Sequence, residues 1–433
     1  MPPRGLVPLA DPMTSLGYID KLSLLLGLHE KAHVIVVDTH RWSTEVHLYT
    51  FQRRLKDSAF YLGGEKAETV CGSGGGGLLE DSLSPETVER RCAEILAACD
   101  RVLPFAAARH NIPLLLGLPP LDSLTQEERR VLVSGLDACL SNSEYSYSRE
   151  GSIGIITPHR QLVMQWFALS LLNGRLPYLK PAETPVIVET NDNDLELTFA
   201  VSSLSRVKNE TVKQLQKVSV FGETWDLVTL RLPGLGVYKA RQLVLTGGQL
   251  IKETAVSPCV NPVVDRWWEY AGHKYHVKGL LRSVEEVKER NGPFAGKKVS
   301  RPVANYDGCH GVVVDFVNKA LGKDFVQVVQ DLKRRKVYIR GQLFIQCAER
   351  GLTDPFKGGD VKLKSYMDSL KHACKVPNTD QPYACVDMMV TGVILDKVLG
   401  LHKGSVLYTT QKVGEFTGDW PAAAALQIYQ DGL

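Results

Sequence analysis

The chain lacks the charge imbalance that marks nucleic-acid or membrane binders: 51 Lys and Arg stand against 48 Asp and Glu, a net +3. That balance excludes a strong electrostatic pull toward polyanions. The one dense basic run, Lys333-Arg334-Arg335-Lys336, reads as a solvated helix end. No hydrophobic run approaches the length of a membrane span. Leu22 to Leu28 is short and follows Asp11, Asp20 and Lys21, a poor match to a signal peptide, and Arg4 alone is basic in the first twenty residues. These absences predict an intracellular protein, in the cytoplasm or an organelle interior such as the mitochondrion, with no nucleic-acid partner and no membrane span. The nine cysteines contain no CxxC spacing and the histidines no HExxH pair, which argues against zinc. Cys92, Cys99 and Cys139 fall on apolar helix faces and read as core residues. The glycine run Gly72 to Gly77 has no Gly-Lys-Ser/Thr after it, so it reads as a surface loop and not a phosphate cradle.

What is present is organised around two similar stretches. His33 to Phe51 holds the run Val34-Ile35-Val36-Val37, then Asp38, a polar turn, and Val46, Leu48 and Phe51 in a second apolar pattern. An uninterrupted β-branched run reads as a strand buried on both faces, so a β-hairpin with an acid at its turn is expected. Pro185 to Phe199 repeats the scheme: Val186-Ile187-Val188, Glu189, a polar turn, and Leu195, Leu197 and Phe199. One hairpin per half suggests internal duplication, which resembles the two-lobed plan of actin, hexokinase and the sugar kinases. A length of 433 residues, 44% of them hydrophobic, leaves room for two or three cores.

Helices and strands alternate around these stretches, which predicts an α/β protein. Ser84-Pro85-Glu86 is a helix start, and Val88, Cys92, Ile95, Cys99 and Val102 keep helical spacing. Ile112 to Leu118 reads as a buried strand, Thr125-Gln126-Glu127-Glu128 as a capping box, and Ser152 to Ile156 as a short strand. Gln161 to Leu172 is expected as a helix crossing to the second lobe. Segments at Asp226–Leu232, Asn305–Leu321, Phe325–Arg334, Cys385–Leu399 and Val406–Thr410 continue the alternation. An alanine-rich final helix over Trp420–Tyr429 returns to the first lobe. Three domains follow: an extension over 1–29, lobe I over 30–160 with 418–433 packing back, and lobe II over 161–417.

On these residues the chain resembles the apyrases, the nucleoside triphosphate diphosphohydrolases, in register over most of its length from residue 33. The family's first motif, a strand ending in Asp before Ala/Gly-Gly-Ser-Ser, matches Asp38-Thr39-His40-Arg41-Trp42. Its second, Ala-Thr-Ala-Gly-Met-Arg after a strand, lines up with Gly117 to Ser123. Its third, Glu-Gly-x-x-Gly-Trp, matches Glu150-Gly151-Ser152-Ile153-Gly154-Ile155. Its fourth, Asp-Leu-Gly-Gly-x-Ser-Thr-Gln, matches Glu189-Thr190-Asn191-Asp192-Asn193-Asp194-Leu195-Glu196. Its tryptophan near the C-terminus is matched by Trp420. The resemblance implies a two-lobed actin-like (ribonuclease H-like) ATPase fold, with a β-hairpin relic of a phosphate loop in each lobe. It further implies Asp38 at the place of the metal-site acid and Glu150 at that of the water-activating base. Thr39, His40, Arg41, Glu189, Asn191 and Trp420 fall at the phosphate and nucleotide positions.

The departures from the pattern are chemical. His40, Arg41 and Trp42 stand where small residues leave backbone N–H groups bare for phosphate, and Asp192, Asp194 and Glu196 put carboxylates where an anion should lie. Preorganised donors are the main lever in phosphoryl transfer. The expected role is therefore a catalytically degenerate, apyrase-like scaffold within a larger assembly of protein subunits, needing no cofactor. The alternatives are a live nucleotide phosphohydrolase using Mg or Ca with Asp38 and Glu150, and a nucleotide sensor without turnover. In the scaffold reading Asp38 caps its hairpin and Gly151 and Gly154 serve turn geometry. The Asp192–Glu196 acids form a solvated tip, with calcium binding as the alternative. Trp225, Trp267 and Trp268 are core or rim aromatics, and Cys374 and Cys385, near the place of a family disulfide, are expected reduced.

Overall fold

A computed structural model describes residues 30–431, except 41–42, 54–59, 71–82, 105–106, 174–175, 177–179, 202–213, 221–222, 249–253, 281–283, 289–291, 294, 322–334, 377–378, 410–411 and 414–415. The expected extension over 1–29, Arg41, Trp42, the glycine run, the Phe325–Arg334 segment and half of the basic run lie outside the described residues. Contacts divide the chain into two units: Met1–Leu179 with Ser219–Glu223 and Lys412–Leu433, and Lys180–Val218 with Thr224–Gln411.

The first unit is built on the first hairpin. β1 (Lys31–Thr39) and β2 (Thr44–Arg53) pair antiparallel, with Asp38 opposite Glu45, and β3 (Phe60–Thr69) adds to β2. Helix α1 (Pro85–Val102) starts where Ser84 accepts from the Thr87 N–H. The chain returns through β4 (Leu114–Leu118), parallel to β1, then α2 (Gln126–Ser141), β5 (Ile153–Ile155) parallel to β4, and α3 (Pro158–Leu172). The sheet order is β3-β2-β1-β4-β5. Thr125 and Glu128 form both bonds of the capping box. One core joins Ile35, Val37, Leu114 and Leu116 of the sheet to Ile95, Leu132 and Leu136 of α1 and α2. Helix α3 and the C-terminal helix (Trp420–Asp431) pack together, and the latter lies against β1.

The second unit repeats that plan with additions. β6 (Val186–Thr190) and β7 (Asp194–Val201) form the second hairpin, and β8 (Gln214–Val220) precedes β9 (Glu223–Pro233), which pairs antiparallel with β7. Helix α4 (Val237–Thr246) follows. Three strands, β10 (Thr254–Ser257), β11 (Asp265–Tyr270) and β12 (His273–Gly279), make a small sheet, and β13 (Val284–Lys288) with β14 (Lys298–Pro302) makes a ribbon. Then come α5 (Tyr306–Leu321), β15 (Val337–Gly341), α6 (Gln342–Glu349), β16 (Asp360–Lys362), α7 (Leu363–Lys375), α8 (Ala384–Val393) and β17 (Val406–Tyr408). The large sheet runs β16-β17-β15-β6-β7-β9-β8. Its middle, β17-β15-β6-β7-β9, has the connectivity of the first unit's five strands, with two parallel strands on one side of a hairpin and an antiparallel strand on the other. The duplication read from the two apolar runs is thus a duplication of topology.

The cysteines depart from expectation. Cys92 on α1 and Cys139 on α2 are bonded to each other, with Cα atoms 6.5 Å apart; Cys259 is bonded to Cys309, and Cys374, expected reduced, to Cys385. Cys99 remains a buried free thiol, as its apolar face implies. Spacing along the chain carries no information about which helix faces meet, which is why the bridges escaped the sequence reading.

Opening the Cys92–Cys139 loop should release a 47-residue constraint. Chain entropy puts the loss at about 2–4 kcal/mol. A Cys92→Ala/Cys139→Ala protein should melt below the parent, and the gap should close when both are melted in reductant. Peptide mapping after alkylation without reduction should recover the Cys92 and Cys139 peptides as one linked species; two separately alkylated peptides would contradict the bridge.

Candidate functional site

In the first unit Asp38, the acid predicted at the hairpin exit, is partly buried, its side chain being 13% exposed. Its register partner on β4 is Gly117. That glycine is needed for space: a Cβ there would lie 2.3 Å from Trp420 Cη2. The Trp420 ring fills the gap, is 1% exposed, and donates Nε1–H to Asp38 Oδ2 at 2.9 Å. His40 Nε2 sits 3.2 Å from the same oxygen, and its hydrogen bond to Asp38 raises the His40 pKa. Asp38, expected to cap its own hairpin, bonds His40 of that turn and also anchors the C-terminal helix. Thr39 Oγ1 donates to Gly117 O at 2.6 Å, and the His40 N–H donates to Ser43 O at 2.8 Å.

These neighbours decide the fit to a divalent cation. The inner oxygen of Asp38 already accepts from an indole and an imidazole, and a protonated His40 repels a cation at that place. Among the described residues no three His, Cys, Asp or Glu side chains converge as a metal site. The described surroundings of Asp38 Oδ2 do not favour Mg or Ca at that oxygen. Glu150, assigned the base position, lies exposed in a turn and makes no side-chain hydrogen bond among the described residues. Gly154 has ordinary backbone angles, and a Cβ there would find its nearest neighbour at 3.7 Å, so turn geometry does not demand a glycine.

A second polar group of the same unit escaped the sequence reading. His47 on β2 is 4% exposed; its Nδ1 lies 3.1 Å from Glu65 Oε1 on β3, and its Nε2 lies 3.6 Å from Glu45 Oε2. Burial alone would lower the His47 pKa, but hydrogen bonds to Glu45 and Glu65 outweigh it and raise the value to about 9. Glu65 Oε2 also accepts the Thr417 N–H, so the cluster ties down the strand leading to the C-terminal helix. The readable signal was His47 between Val46 and Leu48 in the apolar pattern of β2.

In the second unit, the turn between β6 and β7 spends its own donors. Asn191 Oδ1 accepts the N–H of Asn193 at 2.9 Å and of Asp194 at 2.8 Å, and the Asn191 N–H donates to Asp194 O. Asn193 O in turn accepts from Gly234 and Gly236. Gly236 must be glycine because a Cβ would fall 2.3 Å from the backbone at Asn193 and Asp194. The expected solvated acid tip is half correct. Asp192 is exposed, but Asp194 and Glu196 are each 6% exposed. Arg231 of β9 explains it: it hydrogen-bonds Asp194 and lies 3.5 Å from Glu196. Burial raises the Glu196 pKa against the opposing pull of Arg231. Glu189 stands between Arg340 and Glu196 in the sheet register, so four strands carry a row of charges in which two facing carboxylates are flanked by Arg340 and Arg231. Arg231 between Leu230 and Leu232 was the visible sign of this row.

Of the aromatics, Trp225 is core, Trp268 is half-buried and Trp267 is 63% exposed.

No family model matches the chain, and no curated protein matches it. Among solved structures it is similar to nucleoside triphosphate hydrolases from Neospora caninum, at 12% identity over 95% of this chain and 97% of that one, with a TM-score of 0.58. It also matches the PPX-GPPA enzyme of Aquifex aeolicus at 10% identity over 92% of this chain and 99% of that one, TM-score 0.44. An exopolyphosphatase from Cytophaga hutchinsonii matches at 9% identity over 92% and 98%, TM-score 0.38. The first of these likenesses establishes the fold: the α/β, actin-like architecture expected from the sequence is the one observed.

Two outcomes follow from this geometry. Gly117→Ala should lower the melting temperature sharply, since the new Cβ must displace the Trp420 ring or the β4 backbone; an unchanged melt would refute the close packing. The His47 pKa is raised on folding, so its contribution is complete below the unfolded value of about 6.5 and fades as pH climbs through about 9. Stability should therefore fall between pH 7 and pH 9.5, and His47→Gln should flatten that part of the pH profile in thermal melts.

Proposed function

We propose that this protein is a catalytically silent member of the actin-like fold, apyrase-like in plan, that serves as a structural subunit of a larger protein assembly. The observation that carries the reading is the β6–β7 turn, where the N–H groups of Asn191, Asn193 and Asp194 are consumed within the turn itself. A polyphosphate held at a hairpin needs such donors bare, and each one lost typically costs a hundred- to thousandfold in rate. The neighbouring carboxylates add repulsion of about 1 kcal/mol per charge pair at 4 Å even in bulk water. The Asp38 environment supports the same reading, since Trp420 and His40 take the oxygen that a metal would need.

The site residues keep structural roles in this proposal: Asp38, Thr39, His40 and Trp420 fasten the C-terminal helix, and Glu189 and Asn191 order the second hairpin. Three disulfides favour residence in an oxidising organelle lumen over the cytosol. Among the described residues no helix is long and apolar enough to cross a membrane.

The test is phosphate release from ATP, ADP and inorganic polyphosphate by the purified chain, with Mg or Ca, beside calorimetric titration of ATP and ADP. Release at the level of buffer, unchanged by Glu150→Gln, is expected, with no binding heat. Turnover that Glu150→Gln abolishes would establish the hydrolase instead, and binding heat without release would establish the sensor.

A further inference from the structure

The second unit contains a half-open pocket of about 390 Å³, formed by α4, β11, α6 and the segment Asp380 to Met388. A volume of that order lies at the small end of ligand sites. Its back wall is held by one cation. Arg241 of α4 binds Asp387 of α8 through both Nε and its terminal nitrogen. The Arg241 guanidinium carbon lies 4.8 Å from the Tyr383 ring centre, 4.9 Å from Tyr238 and 5.1 Å from Trp268. The Arg241 charge is therefore neutralised by Asp387, while its plane fixes three rings.

The groups that remain unsatisfied are all able to donate. Gln346 Oε1 accepts from the Tyr366 hydroxyl at 3.0 Å and from Thr391 Oγ1 at 3.2 Å, which leaves its buried Nε2 with no partner. The buried Tyr383 hydroxyl has none either. Both residues are more than nine-tenths buried, at 9% and 7% exposed, and both line the pocket. Buried donors without acceptors are rare because they forfeit their hydration. Arg350 also lines the pocket; among the described residues it makes no ion pair within hydrogen-bond reach, and its charge acts on the Asp387 carboxylate from a distance. The carboxylates nearby are already engaged: Asp387 by Arg241, Glu349 by Gln381, and Asp380 by a contact of its own. The remaining lining includes apolar surface from Val237, Pro382 and Met388.

We propose that this pocket binds a small organic carboxylate with a flat apolar body. Its carboxylate accepts from Gln346 Nε2, the Tyr383 hydroxyl and Arg350, and its body lies along Val237, Met388 and Trp268. The unspent amide N–H and hydroxyl can both donate to an acceptor, and the Arg350 guanidinium favours an anion over a neutral molecule. The site borders the β6–β7 turn, since the Val237 N–H donates to Asn191 O and Gln342 Nε2 reaches Asp192 Oδ1, and the proposal stands whether or not nucleotide is hydrolysed.

The test is calorimetric titration of the full chain with phenylacetate and indole-3-acetate, beside phenylacetamide, indole-3-acetamide and adenosine as neutral probes. The acids are expected to bind at least tenfold more tightly than any neutral probe. Tyr383→Phe, which removes one hydroxyl and keeps the ring, should weaken acid binding about tenfold, as should Arg350→Gln. Glu286→Gln, on the β13–β14 ribbon, should leave binding unchanged. Should Arg350→Gln fail to fold, Tyr383→Phe alone decides. No binding of either acid at millimolar concentration, binding of adenosine or the amides as tight as that of the acids, or full affinity in Tyr383→Phe would each overturn the proposal.

Discussion

One indole holds the first unit together. Trp420, at the start of the last helix, fills the space left bare by Gly117 on β4 and gives its only donor to Asp38 at the end of β1. Two parallel strands and the C-terminal helix meet at that ring. A buried tryptophan is worth several kcal/mol in packing alone, and its N–H demands an acceptor when buried. Asp38 supplies it. The packing of the unit thus commits one oxygen of that carboxylate.

The second hairpin follows a parallel logic with different atoms. Its turn closes on Asn191, whose side chain stands in for a ligand by accepting from the two N–H groups that face it. Carboxylates then become tolerable nearby because Arg231 reaches across from β9 to Asp194 and Glu196. A polar hairpin that must exist without an anion can solve its own hydrogen bonding in this way. Charges that would repel a phosphate instead lie in a row across four strands, with Arg340 and Arg231 at its two ends.

The pocket beside α4 and α8 has the opposite character. Where the β6–β7 turn spends the N–H groups of Asn191, Asn193 and Asp194, the pocket keeps an amide nitrogen and a hydroxyl buried and unpaired. Proteins rarely retain such groups without a use for them.

The residues themselves determined the local pieces. Thr125 and Glu128 announce a capping box because the partners lie three residues apart, and the runs 34–37 and 186–188 announce buried strands because their periodicity is unbroken. Their repetition fixed the fold class. Tertiary structure alone decided that Trp420 meets Asp38 across 382 positions, that Cys92 bonds Cys139, and that Arg231 rather than water faces Asp194 and Glu196. Patterns of three to seven residues encode which face of an element is apolar. Which elements share a face depends on the packing of the whole unit, and no local spacing carries it.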